Sequence, residues 1–300
     1  MKLIAVNKFP SHLGLAVVVA LGLVGTGCQQ HKQLDQAAHV AADGDQTATS
    51  LSNYYQKLGN ATVTFERQYK VRFNQTDVPE ALQKQFNLTE RELQQRQALA
   101  AKFDALYITF GKIANNKPDD VQTAVGGLEK AVNGIDKNAL TIGFPGFNGG
   151  NVTVPDQDVK DAIKGILGGI LDLKKVKDVK KGNTALTEIA TGVHALFNKE
   201  KPIYVALSKF YIDQSYAQLT TLIKVGLATP TDAIESSVPP FKIRASPVPT
   251  TDDAKNNAQF YANIDQVEFK ESAVTEADSI DGALQSLVTE HQQLTSTLGS

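Results

Sequence analysis

Side chains that could carry out chemistry are few in this chain of 300 residues, and most of them stand alone. The chain has a single cysteine, Cys28, and five histidines, at positions 12, 31, 39, 194 and 291. No two histidines have the spacing of zinc ligands, so the sequence predicts no metal site. His291 falls on an apolar stripe, and we interpret it as a core or boundary histidine.

Motifs for nucleophilic or phosphate chemistry are also missing from the sequence. There is no GxSxG motif, and no SxxK has its partner motifs around it. The glycine-rich residues 143–150 lack the lysine and the strand-to-helix context of a phosphate-binding loop. Asp43-Gly44-Asp45 matches only the start of a calcium loop and is interpreted as a turn. Without convergent polar groups, we expect a non-enzymatic protein that needs no cofactor.

Cys28 ends the most distinctive segment of the chain. Lys2 and Lys8 give a basic start, residues 13–24 form an apolar run, and the small residues 25–27 lead into the cysteine. This is the plan of a secretory signal peptide, and the apolar run is too short to span a bilayer comfortably. With cysteine directly after the small residues, the segment resembles a bacterial lipoprotein signal. The resemblance implies cleavage before Cys28, diacylation of its sulfur and acylation of the new amino group.

That resemblance also implies where the protein is found. Two or three acyl chains on Cys28 would hold it stably at a bacterial membrane, facing the periplasm or the cell exterior. Gln29, rather than Asp, follows the cysteine, and in enterobacterial lipoproteins this favours the outer membrane. The alternative is a plain signal peptide cleaved near Gly27, which would leave a free thiol. Acylation is the better expectation, because a lone exposed thiol is a liability in an oxidising compartment.

Composition excludes several classes of protein. Hydrophobic residues make up 42% of the chain, which suits a globular core. Removal of residues 1–27, with Lys2 and Lys8 and no acidic residue, takes the net charge from −2 to −4. Because no basic block balances this charge, we expect no nucleic-acid partner. A single cysteine also excludes an internal disulfide.

Apolar residues at spacings of three and four predict long helices over most of the chain. Four long tracts are expected, near residues 51–73, 80–115, 184–227 and 254–298, with a bend near Pro202. Their lengths predict an all-α fold, an elongated antiparallel helical bundle. We therefore divide the chain into a signal peptide (1–27), the lipidated Cys28 with a tether (28–50) and a helical bundle domain (51–300).

Two segments interrupt the long helices. A glycine-rich insert at 119–182 is expected at one end of the bundle, with helices from about residue 119 to 132 and from Asp156 onward. Between those helices, the alternation at 141–142 and 152–154 is compatible with a short β-hairpin. A connector at 229–252 holds five of the 11 prolines and is expected to be extended.

Long amphipathic helices without catalytic groups favour a protein-binding or structural adaptor in the cell envelope. Residues 138–182 of the insert are the expected contact region for an envelope protein partner. The contact residues that we predict from the sequence are Phe144, Phe147, Ile166 and Leu167.

Two other functions remain open at this level. The apolar, glycine-containing residues 163–173 precede a lysine-rich run, so the segment 138–182 could insert into lipid, as in a membrane-active protein. A small ligand could instead bind within the bundle, lined by Tyr54, Tyr211 or His291.

Overall fold

A computed structural model describes residues 27–72, 77–115, 121–135, 144, 154–174, 179–224 and 252–299. These residues form six helices and no strand. The helices are α1 (Gly27–Arg72), α2 (Glu80–Ala114), α3 (Val121–Gly134), α4 (Asp156–Leu173), α5 (Val179–Lys224) and α6 (Asp252–Gly299). The predicted all-α helical bundle is thereby confirmed.

Side-chain contacts fix the directions of the long helices. Phe65 of α1 meets Phe86 of α2 near one end, and a Cβ on Gly111 of α2 would lie 3.2 Å from Ala41 of α1 near the other. These two helices are therefore antiparallel. The α5 and α6 helices are antiparallel as well, because Asn183 bonds Thr295 while Asp213 bonds Gln266.

The α1 and α5 helices run in the same direction. Tyr54 of α1 packs against Tyr204 of α5, and Thr62 of α1 bonds Tyr211 of α5. At 1.5 Å per residue, the 46 residues of α1 and of α5 each span about 70 Å. The bundle is therefore elongated, and its four long helices alternate in direction along the chain.

Helix α1 begins at Gly27, so residues 28–50, which we predict as a tether, are helical. Ala37, Val40 and Ala41 are buried in the bundle. They are buried because their small side chains let α1 approach α2 closely. Gly44, which argues against a helix in the sequence, belongs to this contact, because a Cβ there would lie 2.2 Å from the Tyr107 ring.

The helices of the predicted insert pack along the bundle. Helix α3 lies against α2 and α4, and α4 lies along α5. Val159, Ile163, Ile166 and Ile170 of α4 recur at helical spacing and are buried. The predicted insert at one end of the bundle is therefore not confirmed.

Three further predictions concern Pro202, the possible hairpin and the connector 229–252. Helix α5 continues through Pro202, where a bend is expected, although proline leaves one helical carbonyl without its donor. The possible hairpin lies outside the described residues apart from Val154, which is buried. The connector 229–252 lies outside them as well, apart from Asp252, the first residue of α6.

Candidate functional site

A surface groove runs between α4 and α5 and reaches the C-terminal part of α6. It has a volume of about 720 Å³. Small side chains form most of its walls; they include Ala162, Gly165 and Gly168 of α4, Thr187, Thr191 and Ala195 of α5, and Thr295 of α6. We call this feature the α4–α5 groove.

Glycines explain why the groove exists. A Cβ on Gly169 would lie 2.8 Å from the Ala185 carbonyl oxygen, and one on Gly192 would lie 2.9 Å from the Ile166 nitrogen. The two helix backbones therefore touch where they cross. Beside the crossing, Gly165 and Gly168 supply no side chain, and a Cβ on Gly168 would meet nothing within 4 Å. The space next to the crossing consequently stays open.

Acidic side chains line the edges of the groove. Asp158 and Asp161 lie on the α4 side, and Glu188 lies on the α5 side. Lys199 is the basic residue of the lining, and its ammonium lies 3.2 Å from the Asp158 carboxylate. Lys199 neutralises Asp158, so the edges keep two negative charges, those of Asp161 and Glu188. Such an edge attracts a positively charged partner.

The centre of the bundle holds a buried ionic network. Arg96 of α2 donates from Nε to Glu200 of α5 at 2.7 Å and makes a second, short bond to the same carboxylate. It also donates to Glu92 at 2.7 Å. Tyr204 donates its hydroxyl to Glu200. Burial opposes the charge on Arg96, yet the facing Glu200 carboxylate keeps the Arg96 pKa above its usual value.

This ionic network has no route to a substrate. The side chains of Arg96 and Glu200 are both fully buried. Tyr54, Tyr55 and Phe197 pack edge to face around this region. A network whose members satisfy one another specifies which helix faces meet, and we assign it a structural role.

The second buried polar group is centred on His291 of α6. Its Nδ1 lies 2.6 Å from Oδ1 of Asn183, which only accepts, so Nδ1 carries the proton and donates. Its Nε2 then accepts from the Tyr107 hydroxyl at 2.6 Å. Burial lowers the His291 pKa to about 4. The interpretation of His291 as a core histidine is confirmed, since both nitrogens are satisfied inside the bundle.

The structure does not place the four predicted contact residues on one exposed surface. Phe144 is buried among Phe65, Phe86 and Phe210, because its ring fills the space where α1, α2 and α5 meet. Ile166 is fully buried against Gly192 at the helix crossing. The expectation that these two side chains are exposed is therefore wrong.

The other predicted site residues have different outcomes. Leu167 is half-buried and packs against the core, and Phe147 lies outside the described residues. Cys28 lies in the first turn of α1. The tyrosines predicted to line a ligand site, Tyr54 and Tyr211, are buried in the aromatic core, away from the α4–α5 groove.

No group of three or more histidine, cysteine, aspartate or glutamate side chains could hold a metal ion in the described part of the chain. No described helix combines the length and the apolar character needed to cross a membrane.

Comparison with known proteins gives no match for this chain to a protein-family model, a curated protein or a solved structure.

Sequence reasoning missed the Arg96–Glu200 pair, although a signal was present. Arg96 follows Leu93 by three residues and precedes Phe103 by seven, so it occupies an apolar stripe position. Glu200 holds the equivalent place between Phe197 and Tyr204 of α5. Two opposite charges on two apolar stripes predict a buried pair, because neither is tolerated in a core alone.

Proposed function

We propose that this chain is a membrane-anchored envelope lipoprotein that acts as a non-enzymatic protein-binding adaptor. Its α4–α5 groove receives one amphipathic helix of a partner protein. That helix places small or apolar residues in the groove and lysine or arginine residues along the acidic edges. The shape and charge of the groove are the observations that carry the proposal.

The dimensions of the groove suit a helix. Thr184 and Lys199, the outermost α5 residues of the lining, are 15 residues apart, which corresponds to about 22 Å or four helical turns. A helix in a groove is a common mode of peptide recognition, and small residues let helix backbones approach closely. The net negative edges favour a basic partner.

The position of the groove is consistent with an anchor at Cys28. The α1 and α5 helices run in parallel, and Thr62 stands at the level of Tyr211. Thr184 therefore stands near the level of residue 35, and Lys199 near that of residue 50. The groove would lie about 10–33 Å from Cys28 along the bundle axis. An acylated Cys28 would thus present the groove close to the membrane.

A small-molecule ligand is the second candidate. A volume of about 720 Å³ lies within the range of ligand pockets, and four threonines offer hydroxyl groups. Insertion of the segment 138–182 into lipid is the third candidate. The buried face of α4 weakens it, because Ile163, Ile166 and Ile170 already pack inside the bundle.

Photo-crosslinking in cells tests the proposal. A photoreactive residue replaces Thr191, which is exposed in the groove, and a control replaces Glu271, which is exposed on α6. We expect a defined protein adduct from position 191 that is absent at 271. The crosslinked partner peptide should be helical and basic.

Other outcomes would contradict the adaptor. Adducts to lipid alone at position 191 would favour the membrane-active alternative. Identical adducts at both positions, or none at position 191, would show that the groove holds no protein. A melting-temperature rise with a metabolite panel in that last case would indicate a small-molecule ligand.

A further inference from the structure

The close contact at Gly44 brings carboxyl groups from three helices together. Asp45 of α1 is hydrogen-bonded to Asp104 of α2. On the other side of Gly44, Asp43 of α1 is hydrogen-bonded to Glu290 of α6. Each pair therefore joins α1 to a different neighbour, and we call them the two carboxyl pairs.

Two carboxylates cannot hydrogen-bond without a proton, because an ionised carboxylate only accepts. Oδ1 of Asp104 and Oε2 of Glu290 are buried from water and have no donor among the described residues. A proton shared within each pair would supply that donor. Ionisation of both members would instead leave two like charges in contact and an unsatisfied buried oxygen.

The groups around the carboxyl pairs are mostly neutral. Thr49 of α1 bonds Asp104, and Ser286 of α6 donates to Glu290 at 3.1 Å. Burial and the Glu290 charge raise the pKa of Tyr107 on α2. The Tyr107 hydroxyl donates a hydrogen bond to His291 of α6.

No lysine or arginine of the described residues forms an ion pair with any of the four carboxyls. His39 lies one turn before Asp43 on α1 and is exposed. It is therefore an ionisable side chain on the same helix that the test must control.

We propose that the two carboxyl pairs form a proton-dependent clasp, which holds the Cys28-proximal part of α1 against α2 and α6. The two carboxyl groups of each pair form a hydrogen bond when they share a proton. They repel each other when both are charged. The clasp rests on residues that do not line the α4–α5 groove, so it stands independently of the proposed function.

The pH window follows from the surroundings of each carboxyl. Burial and the bond to Asp45 raise the Asp104 pKa to about 7. Burial, with Asp43 close by, also raises the Glu290 pKa. Because these pKa values are higher than in the unfolded chain, the stabilisation is present at acid pH. It is lost as the pH rises through about 7.

His291 acts with the opposite sign. Its pKa of about 4 lies below the ordinary 6.5, so the unfolded chain takes up a proton there before the folded chain does. Stability from neutral His291 is therefore lost as the pH falls from about 6.5 towards 4. The clasp is best observed above that range, between pH 6.5 and 8.5.

Hydrogen exchange of the full chain in detergent tests the clasp. Exchange is followed at pH 6.5 and 8.5, with times corrected for the chemical rate, in residues 34–50 and 53–70 of α1. We expect about fourfold faster opening of residues 34–50 at pH 8.5, the ratio that one group with a folded-state pKa of about 7 gives between these two pH values. Residues 53–70 should change much less.

Matched variants separate the clasp from a general pH effect. Asp104→Asn and Glu290→Gln each place a carboxamide that donates to its partner carboxylate at any pH. The double variant should keep residues 34–50 closed at both pH values. Asp35→Asn, an exposed change on α1, and His39→Gln should retain the pH dependence of the original chain.

The proposal is overturned if the double variant opens at pH 8.5 as readily as the original chain. Equal pH dependence in residues 34–50 and 53–70 would overturn it too. If only His39→Gln abolishes the effect, the imidazole and not the carboxyl pairs is responsible. Each single variant is measured as well, so that one pair can be judged if the other variant does not fold.

Discussion

The aromatic centre of the bundle and the α4–α5 crossing are helix interfaces that pack in opposite ways, one with bulky side chains and one with glycines. At the centre, Tyr54, Tyr55, Phe197 and Tyr204 fill the space between α1 and α5 and surround a buried ion pair. At the crossing, glycines bring the backbones into contact. Bulky residues keep helices apart but leave no surface opening, whereas small residues allow a close crossing with open space beside it.

The first prediction concerns the buried ion pair at the aromatic centre, where we expect the largest effect on stability. Arg96→Met should lower the free energy of unfolding by about 3–5 kcal/mol, because Glu200 and Glu92 would stay buried without their cation. Denaturant unfolding measures the change. Adding Glu200→Leu should recover part of the loss, since the uncompensated charge is then removed.

Lys57→Met is the matched control for this prediction. Lys57 pairs with Glu276 on the surface, where removal of a cation costs no more than about 1 kcal/mol. Equal losses in Arg96→Met and Lys57→Met would mean that burial of the central pair contributes nothing.

The second prediction concerns the backbone contact where α4 and α5 cross. Gly192→Ala should lower the free energy of unfolding by about 1–3 kcal/mol, because its Cβ would press on the Ile166 backbone nitrogen. Gly168→Ala is the control and should raise stability by up to about 1 kcal/mol, since alanine favours a helix and its Cβ meets nothing. The same sign in both variants would contradict a backbone contact confined to the crossing.

The third prediction uses the open space beside the crossing. Gly168→Leu should leave folding intact and fill the groove, which reduces the protein adduct from position 191 by about tenfold or more. Quantitative mass spectrometry of the adduct measures the loss. Gly59→Leu makes the same change in open space on α1 and should leave the adduct unchanged. A full adduct yield in Gly168→Leu would place the partner elsewhere.

The fourth prediction compares two buried threonines and has the smallest effect. Thr89 has no partner for its hydroxyl among the described residues, whereas Thr62 bonds both Tyr211 and the Leu58 carbonyl. Thr89→Val should raise the free energy of unfolding by about 0.5–1 kcal/mol, and Thr62→Val should lower it by about 1–2 kcal/mol. A loss of stability in Thr89→Val would indicate a bond that its hydroxyl makes in solution.

The long helices were predictable from the sequence to within a few residues at most ends. Helix α2 was expected near 80–115 and spans Glu80–Ala114, because its apolar residues repeat at helical spacing. The start of α1 was not predictable, since alanine and glycine give a weak apolar signal. Ala37 and Gly44 become informative only when the neighbouring helix is known.

The candidate site was predictable only in part. The sequence has glycines at 165, 168 and 169, and the structure places Gly169 in the close helix crossing. Ile166 and Phe144 were expected at the surface, yet both are buried. A sequence shows that a side chain is apolar, but whether it meets solvent depends on which helix packs over it.

The sequence alone determined the helical class, the long tracts and the lipoprotein-like segment that ends at Cys28. Those features depend on local spacing and composition, because interactions between residues close in the sequence decide them. The tertiary structure alone decided that Arg96 meets Glu200 and that Asp43 and Asp45 meet carboxyls from two different helices. These partners are 59 to 247 positions apart in the sequence, so only the packing of whole helices brings them together.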